Sequence, residues 1–346
     1  MSTGPLGAFF APLLATGALA ALPFTTAAQE APQPVRNDVA QAGREFLVLR
    51  HQKLVKGSHQ RFYELSRKGV WPLFEKIGTR VVGQWQVTYP EGGGPEDYDE
   101  GYRLARYRSY NHWQATRHAQ DLAGNGPDLL ASRKALEARN QLRLDSNGPI
   151  FLLGSTASGG PYYFPGLQES YEPIQDAVGL ANGAPLPVRH GQAKPGQEVV
   201  TMRYFKIKKG TFEEFNRLSR DGVWPFFEKM GARVIGQWLV LHPPVGEAGS
   251  RARSAQPSPG SPEYDEAYML VRYASYDHWQ ATRPAVMAQL GGNGPDYELC
   301  QESLDRRRQL TLETSVLFLQ GFLYHSPPVY LPALDENYRL IEAVRH

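Results

Sequence analysis

The sequence contains two copies of one segment, and this duplication constrains the fold more than any other feature does. Residues 57–90 align without gaps on residues 210–243, with 20 identities in 34 positions. Residues 98–117 align on residues 264–283 with 15 identities in 20 positions, and a shorter match follows in both copies. Because the blocks recur in the same order, the chain contains two homologous modules.

The two modules leave several segments outside them. We call residues 45–154 the first repeat and residues 199–325 the second repeat. Within the second repeat, residues 245–262 form an insertion of Ser, Gly, Pro and Ala that is typical of a surface loop. The remaining segments are an apolar segment at 1–28, an extension at 29–44, a linker at 155–198 and a tail at 326–346.

The apolar N-terminal segment indicates export. It carries no charged side chain, and small residues at Thr26–Ala28 are of the kind that precedes a signal-peptidase cleavage site. It lacks the usual basic n-region, and a retained membrane-spanning helix is the alternative. The prolines at 5, 12 and 23 disfavour that helix. We therefore expect a periplasmic or secreted protein whose mature form has no membrane span.

Each repeat has the pattern β-α-β-β-α-β. Apolar-rich runs of strand length alternate with stretches of helical periodicity. Possible capping boxes lie at Thr211-x-x-Glu214, Asn111-x-x-Gln114 and Asp277-x-x-Gln280, and we expect Pro72 and Pro225 to kink or restart the first helix. In the first repeat, the predicted strands are Phe46–Leu54, Arg80–Tyr89, Gly101–Tyr110 and Leu142–Leu153.

This element order is that of a ferredoxin-like module, an α+β fold. Two helices cover one face of its sheet and leave the other face bare and apolar, so a single module needs a partner. The second repeat can supply one. We expect the two repeats to pack sheet to sheet about a pseudo-twofold axis, closing an intrachain α/β barrel of about eight strands.

Three recurring motifs resemble those of the NIPSNAP family, within the dimeric α/β-barrel superfamily. The first runs from Pro72 to Gly83-x-Trp85 and from Pro225 to Gly236-x-Trp238. The second is Leu104-x-Arg106-Tyr107-x-Ser109, which recurs at 270–275, and the third is the Arg-x-Gln-Leu that ends at Leu142 and at Leu310. The resemblance covers both repeats. It implies the barrel fold and does not imply a reaction.

No cofactor or metal is expected. The resemblance extends to a superfamily in which some enzymes bind haem through an axial histidine, and His112 and His278 recur in both copies. A histidine in the first turn of a helix is usually exposed, and we favour that interpretation. Phosphate-binding, dinucleotide-binding and zinc-protease motifs are absent. The one cysteine, Cys300, has acidic neighbours and is expected to be a packing residue.

The charge balance argues against a polyanionic partner. The formal net charge is +2, and basic and acidic residues are interspersed along the chain. No strong field therefore attracts nucleic acid or an anionic membrane. A small organic ligand or a protein is the expected partner, and assembly beyond the intrachain pair is left open.

A set of polar and aromatic residues at matching strand positions forms the candidate ligand site. If the face that bears Arg106 and Arg272 lines the barrel, two guanidinium groups point into an aromatic interior, where each needs an anionic partner. The alternative is an ion pair with Asp99, Glu100, Asp265 or Glu266 that holds the repeats together. The candidates are Arg50, Arg203, Gln84, Gln237, Trp85, Trp238, Tyr102, Tyr268, Arg106 and Arg272.

Two hypotheses of function follow. The first is an exported barrel that binds a small molecule or a protein and catalyses nothing. The second is a cofactor-free monooxygenase or isomerase that acts on a small organic substrate, which requires a proton acceptor in the cavity. The sequence shows no dedicated cluster of such acceptors, so whether the protein is an enzyme stays open and no catalytic residue is assigned.

Overall fold

A computed structural model describes most of both repeats. The predicted segments at 1–28, 29–44, 155–198 and 326–346, and most of the insertion at 245–262, lie outside the described residues. The described ranges are 46–107, 109–146, 148–154, 199–242 and 259–320.

The first repeat follows the predicted order of strands and helices. The last predicted strand is interrupted in this repeat and forms two short strands instead of one. The strands are β1 (Phe46–Val55), β2 (Arg80–Thr88), β3 (Tyr98–Tyr107), β4 (Arg143–Ser146) and β5 (Ile150–Leu153). The helices are α1 (His59–Leu65), α2 (Trp71–Lys76), α3 (Tyr110–Thr116), α4 (Ala119–Ala123) and α5 (Pro127–Gln141).

The second repeat has the same order with an uninterrupted last strand. The third strand of the first repeat begins and ends three residues earlier than predicted, and its end lies just before the cap of the next helix at Ser109. The strands are β6 (Val199–Lys208), β7 (Arg233–Leu241), β8 (Tyr264–Tyr273) and β9 (Thr311–Gln320). The helices are α6 (Phe212–Leu218), α7 (Trp224–Lys229), α8 (Tyr276–Ala281), α9 (Met287–Gly291) and α10 (Pro295–Leu310).

Eight antiparallel strands close into a barrel, which confirms the predicted fold. Around the ring the order is β1-β3-β2-β9-β6-β8-β7-β5, and β5 returns to β1. The repeats join through their sheet edges. Strand β9 of the second repeat pairs with β2, and β5 of the first repeat pairs with β7. Strand β4 pairs with the far end of β1.

The pseudo-twofold axis coincides with the barrel axis. Equivalent strands of the two repeats are four places apart in the ring, and strands an even number of places apart in an antiparallel ring run in the same direction. Only a rotation about the barrel axis superposes equivalent strands without reversing their direction. Equivalent side chains of the two repeats therefore lie at the same end of the barrel.

A five-residue π-helical segment precedes each of the two prolines. The segments are Ser66–Val70 and Ser219–Val223, and each leads into a helix with proline in its first turn. This confirms that the helix restarts at Pro72 and Pro225. The hydroxyls of Ser66 and Ser219 donate to carbonyl groups one turn earlier, at 2.7 Å each.

Glycine within the π segment lets this segment approach the long helix. A Cβ on Gly69 would lie 2.3 Å from the Cβ of Ala135 in α5, and one on Gly222 would lie 1.9 Å from Oγ of Ser303 in α10. No side chain fits between backbones that are this close. The two glycines therefore fix the distance between the first and last helices of each repeat.

The predicted capping boxes are wrong. The Thr211 hydroxyl donates to the carbonyl of Lys208 at 2.7 Å, and Glu214 binds Arg306. The second helical region is capped by Ser109 and Ser275, whose hydroxyls accept from the amides of the histidines three residues later. The side chain of Thr211 accepts no hydrogen bond from the helix that follows it.

The Gly-x-Trp motif serves packing inside the barrel. A Cβ on Gly83 would lie 2.1 Å from the indole ring of Trp85, so this ring folds back over the glycine. Trp85 and Trp238 are both fully buried in the cluster that fills the barrel. Trp71 and Trp224 instead belong to the clusters between sheet and helices, as expected for residues that anchor helix to sheet.

We expect Gly69→Ala and Gly222→Ala each to lower the free energy of unfolding by about 1–3 kcal/mol, because the added methyl group overlaps an atom of the long helix. Urea denaturation of the purified variants measures the effect. Gly148→Ala is the control, since no heavy atom lies within 4 Å of its Cβ position. Equal stability of all three variants would contradict the close contact.

Candidate functional site

The ten candidate residues divide between the two faces of the barrel wall. Alternation along the strands places six inside, where Leu104 and Leu270 belong to the interior cluster. The other four lie on the outer face, beneath the helices. The inner six are Trp85, Trp238, Tyr102, Tyr268, Arg106 and Arg272, and the outer four are Arg50, Arg203, Gln84 and Gln237.

The barrel interior is a packed apolar core. Its middle is filled by both tryptophans and by leucines from both repeats, so it separates the two ends of the barrel. Arg106 and Arg272 are buried at one end, 3% and 1% exposed, beside Leu47 and Val200. Tyr102 and Tyr268 lie at the other end.

At the tyrosine end, a carboxylate in each repeat binds one histidine and one tyrosine. Glu100 contacts Nε2 of His51 at 3.0 Å and accepts from Tyr89. Glu266 accepts from Tyr204 at 2.7 Å and contacts His242. His51 of the first repeat corresponds to Tyr204 of the second, and Tyr89 corresponds to His242. The histidine and the tyrosine are therefore interchanged, and each carboxylate still contacts one of each. This conserves one network at two equivalent sites.

The two central tyrosines at this end are electrostatically coupled. Burial raises the pKa of Tyr268 to about 12, and burial followed by the neighbouring Tyr268 raises the pKa of Tyr102. Their phenols therefore stay protonated at neutral pH. The ring of His51 stacks on that of Tyr102 with centroids 4.7 Å apart.

The carboxylates proposed as alternative partners of the two inner arginines bind other groups. Asp99 lies 3.7 Å from Nζ of Lys56, and Asp265 lies 2.9 Å from Nζ of Lys209. Both aspartates lie on the outer face of the wall, whereas the arginines lie on the inner face. Each aspartate therefore pairs with a lysine of its own repeat and not with an inner arginine.

On the outer face of the first repeat, three polar side chains form a row across neighbouring strands. Arg50 on β1 is the cross-strand partner of Arg103 on β3, and Arg103 is the partner of Gln84 on β2. Arg103 is 7% exposed and Gln84 is 2% exposed. Within the described chain, neither the amide of Gln84 nor Nε of Arg103 has a hydrogen-bond partner.

Arg139 of α5 covers this row from the helix side. Its guanidinium lies 4.3 Å from the ring centroid of Phe62 in α1, and that of Arg103 lies 5.4 Å from the ring centroid of Phe74 in α2. Two cations are thus held by aromatic faces in a buried space. Ring faces stabilise a guanidinium by much less than a carboxylate does.

The electrostatic surroundings of these arginines are cationic. Burial, followed by Arg103, lowers the pKa of Arg50 to about 10. Burial, followed by Arg103 and Arg143, lowers the pKa of Arg139 to about 9, and burial also lowers the pKa of Arg103. Among the described residues, the favourable neighbour of Arg50 and Arg103 is the Tyr107 phenol, and no carboxylate contributes.

The corresponding row of the second repeat is partly apolar, and the amide nitrogen of its glutamine has a partner. It consists of Arg203, Met269 and Gln237, so methionine stands where the first repeat has Arg103. The Gln237 amide donates to the Asn216 side chain at 3.1 Å. Arg307, the equivalent of Arg139, has its guanidinium over the ring of Phe215 at 4.5 Å. This repeat therefore has one buried arginine fewer.

The next row of side chains along the sheet is also polar in the first repeat and apolar in the second. In the first repeat, Gln52 and Gln86 flank Gly101 on the sheet, and His59 of α1 lies above Gly101. A Cβ on Gly101 would lie 3.3 Å from the imidazole. In the second repeat, the equivalent residues are Phe205, Leu239, Ala267 and Phe212. We call Arg50, Gln84, Arg103, Arg139 and His59 of the first repeat the polar interlayer.

The polar interlayer divides the hydrophobic core of the first repeat. In the second repeat, Phe226 and Met230 belong to one continuous cluster between sheet and helices. Their equivalents in the first repeat, Leu73 and Ile77, form a small cluster of their own. The apolar contacts between sheet and helices are therefore continuous in the second repeat and divided in the first.

His59 is buried without charge. It is 2% exposed, and burial lowers its pKa to about 4, while Asp99 and the carbonyl of Trp85 act in the opposite direction. At neutral pH the imidazole is therefore neutral. A neutral imidazole can accept a proton.

The two recurring histidines at the start of α3 and α8 have structural contacts. Nε2 of His112 donates to the carbonyl of Ile77, and Nε2 of His278 donates to that of Met230, each at 2.7 Å. Nδ1 of His278 accepts from the amide of Ala274 at 3.0 Å. Both ring nitrogens of His278 are thus occupied, which does not fit an axial ligand. The two rings are partly buried, so the expected surface exposure is wrong.

Other features of the described ranges bear on the expected partners. Within these ranges, no group of three or more His, Cys, Asp and Glu side chains could hold a metal ion. The helices described here are all too short or too polar to cross a membrane. Cys300 is buried, and burial raises the pKa of its thiol to about 12, in keeping with a packing role.

Sequence reasoning missed Arg103 and His59, and it noted Arg139 only as part of the Arg-x-Gln-Leu motif. It searched for residues that the two repeats share, whereas Arg103 and His59 are positions at which the repeats differ. Arg103 opposite Met269 and His59 opposite Phe212 are differences inside the aligned blocks. A comparison that asks where one repeat has a polar residue and the other an apolar one would have found both.

Comparisons with known proteins give only distant structural likenesses. No protein-family model matches the sequence, and no curated protein matches it. A proposed monooxygenase from Lactobacillus acidophilus has 10% identity and a TM-score of 0.43, over 80% of this chain and 93% of that chain. An anthrone oxidase-like protein has 12% identity and a TM-score of 0.38, over 85% of this chain and 98% of that chain.

A more distant likeness is to a mutant chlorite dismutase from Candidatus Nitrospira defluvii. It has 8% identity and a TM-score of 0.30, over 79% of this chain and 90% of that chain. Identities and TM-scores this low say nothing about the activity of this chain. The strand pairing itself gives the conclusion about architecture: one polypeptide forms a complete α/β barrel of the dimeric type.

We expect His59 to make the protein less stable as the pH falls. Its pKa is about 4 when folded and near 6.5 when unfolded, so the unfolded chain binds the proton more readily and stability is lost between those values. Urea denaturation should show a loss of roughly 2 kcal/mol from pH 7.5 to pH 5 that is absent in His59→Phe. Parallel pH profiles of the two proteins would disprove the burial of a neutral imidazole.

Proposed function

We propose that the first repeat binds a small organic anion in the polar interlayer. The observation that carries this is the row of Arg50, Arg103 and Gln84, where buried guanidinium groups have no carboxylate partner among the described residues. A buried cation without a counter-ion destabilises a protein. The second repeat folds the same way with methionine at this position, so the fold does not require Arg103.

The side chains of the row indicate what kind of molecule would bind there. Two neighbouring guanidinium groups match a carboxylate or a similar planar anion, and the Gln84 amide can donate to or accept from a third atom. The rings of Phe62 and Phe74 border the guanidinium groups and suit a ligand with an apolar or aromatic body. Arg50 is partly exposed, which gives such a ligand a path from solvent.

The inner residues Arg106, Arg272, Tyr102, Tyr268, Trp85 and Trp238 have a lesser part in this proposal. They lie around a barrel interior that side chains fill, so ligand contact there is confined to the two ends. Arg203 and Gln237 lie in the second repeat, where Gln237 is bound to Asn216. Of the ten candidates, Arg50 and Gln84 are the ones that we assign to the ligand site.

A second candidate function is catalysis without a cofactor. It is favoured by one observation, the neutral His59 buried beside the arginine row. The motifs shared with the NIPSNAP family support membership of that family, which leaves either activity open. We also propose that the protein is exported, on the support of the apolar segment at 1–28.

We expect benzoate to bind the wild-type protein and Arg103→Met to weaken its binding roughly ten- to hundredfold, since a charge-assisted hydrogen bond is lost. Isothermal titration calorimetry measures the affinity. Without benzoate, Arg103→Met should raise the free energy of unfolding by about 1–3 kcal/mol, because a buried unpaired charge is removed.

The matched control is Arg308→Met, which removes the same charge from an exposed position on α10. It should leave benzoate affinity unchanged. A variant Arg103→Met that binds benzoate as well as the wild type, or that is less stable than it, would refute the anion site.

The proposal that the protein is exported can be tested by N-terminal sequencing and cell fractionation. The full-length chain, expressed in its natural host, should yield a mature protein whose N-terminal sequence begins near Gln29. Cell fractionation should then recover it outside the cytoplasm. An N-terminus at Met1 or Ser2 in the cytoplasmic fraction would show that the segment is retained and the export proposal false.

A further inference from the structure

Arg143, the first residue of β4, adds a fourth arginine to the helix-covered face of the first repeat. Its cross-strand partner is Leu54 on β1, which is buried. Leu54 and Arg50 are four residues apart in the strand, so both point to the outer face of the wall. Residues directly opposite each other in neighbouring strands share a face, which places Arg143 on that face too. Arg143 is exposed and therefore lies at the margin of the space between sheet and helices.

A β-bulge keeps the carboxylate of β4 away from this face. The register of β1 and β4 shifts between Lys53 and Leu54, so that Leu54 is opposite Arg143 and Lys53 is opposite Asp145. Lys53 and Leu54 point to opposite faces because they are adjacent in the strand. Asp145 therefore shares a face with Lys53 and not with Arg143.

The charges of these four arginines act on one another. We call Arg50, Arg103, Arg139 and Arg143 the arginine cluster. Burial is the first cause that lowers the pKa of Arg50 and of Arg139, and the charges of Arg103 and Arg143 lower the pKa of both further. Within the described chain, no carboxylate acts on the pKa of either residue. Repulsion of this kind destabilises the folded chain, and an anion with more than one negative charge offsets it.

The second repeat keeps two of these four arginines and has uncharged residues in place of the other two. Met269 stands in place of Arg103, and Thr311 stands in place of Arg143. Thr311 lies at the same bulge, and its hydroxyl donates to the carbonyl of Arg307 at 2.8 Å. The fold therefore forms without the two additional charges, and packing does not explain them.

The buried side chains of the site have hydrogen-bonding groups without partners. Within the described chain, Nε of Arg103, Nε of Arg139 and both amide atoms of Gln84 make no hydrogen bond. Arg139 is 5% exposed and belongs to α5 on the helix side, whereas Arg103 and Gln84 belong to the sheet. An anion between them would accept hydrogen bonds from both sides, and buried donors need such partners.

We propose that the ligand of the first repeat is a dicarboxylate with an aromatic or apolar body. One carboxylate binds Arg50 and Arg103 on the sheet, and the other binds Arg139 of α5 and Arg143 at the exposed margin. The inference rests on the anion site proposed above and names the class of its ligand. Arg143 is then a specificity-determining residue, because it binds the second carboxylate and contributes little to the first.

The spread of the arginine cluster favours two separate anionic groups over one doubly charged group. The Cα atoms of Arg50 and Arg103, which are cross-strand partners, lie about 5 Å apart. Arg50 is about 13 Å along β1 from Leu54, the residue opposite Arg143. Guanidinium groups placed in this way match carboxylates at two ends of a small molecule better than a single phosphate. The aromatic rings that border the guanidinium groups suit the body between them.

The test is calorimetry of the full-length protein with isophthalate, benzoate and phenyl phosphate at one salt concentration. The wild type should bind isophthalate at least tenfold more tightly than either of the others. Arg143→Thr, which copies the second repeat, should weaken isophthalate binding about tenfold and change benzoate binding by less than about threefold. Arg103→Met should weaken both. Arg133→Thr removes the same charge from an exposed position on α5 and should change neither.

The outcomes distinguish this inference from the site on which it rests. If benzoate binds the wild type and isophthalate binds no more tightly, the second carboxylate position is false while the anion site stands. Equal weakening of both ligands by Arg143→Thr would also overturn the inference, and so would a phenyl phosphate affinity above that of isophthalate. If none of the three molecules binds the wild type, the anion site and the inference both fall.

Discussion

The architecture of the protein depends on how the edge strands of its two sheets find hydrogen-bond partners. A four-stranded ferredoxin-like sheet ends in strands whose outer amide and carbonyl groups have no partner, and its uncovered face is apolar. Pairing β9 with β2 and β5 with β7 meets both needs at once, since it joins the edges and encloses the two apolar faces. The barrel, its axis and the equivalence of its ends follow from those two pairings. Each repeat is thus half of a core that the other completes.

Because the second repeat supplies a continuous core of its own, the first can carry side chains that a core normally excludes. Three differences at equivalent places put the polar residue in the first repeat: Met269 against Arg103, Phe212 against His59 and Phe205 against Gln52. The exchange also runs the other way, since the buried Thr201 and Asn216 stand against Val48 and Tyr63. A homodimer cannot differ between its halves in this way, since any change appears in both. A duplicated chain can, and here its two halves bury different polar groups.

The sequence allowed prediction of the architecture because the repeat, the strand patterning and the helix restart at Pro72 are local or periodic signals. The predicted capping boxes are wrong for local reasons: the Thr211 hydroxyl donates to Lys208, and Ser109 and Ser275 cap the second helical regions two residues before the predicted caps. The interruption between β4 and β5 falls at Gly148-Pro149, a turn signal that the prediction of one strand passed over. Arg106 and Arg272 drew attention as shared residues, yet the interior they face is filled.

The site was harder to predict for a physical reason. Arg50 and Gln84 were chosen as paired positions, and only the cross-strand register shows that Arg103 lies between them. Which face of β2 points outward depends on a bulge between Val81 and Gly83, and a bulge shifts the alternation that sequence patterns rely on. Gln84 and Trp85 are adjacent in the strand and so lie on opposite sides of the wall, one beneath the helices and one in the barrel.

The contact between Gly69 and Ala135 bears on the proposed ligand site. It brings the junction of α1 and α2 close to α5, and these are the elements that carry His59 and Arg139 above the sheet. The spacing between these helices is therefore set by the volume of two small residues that belong to no polar row. An evolutionary change in either residue would move both helices relative to the sheet and leave every polar side chain in the interlayer as it is.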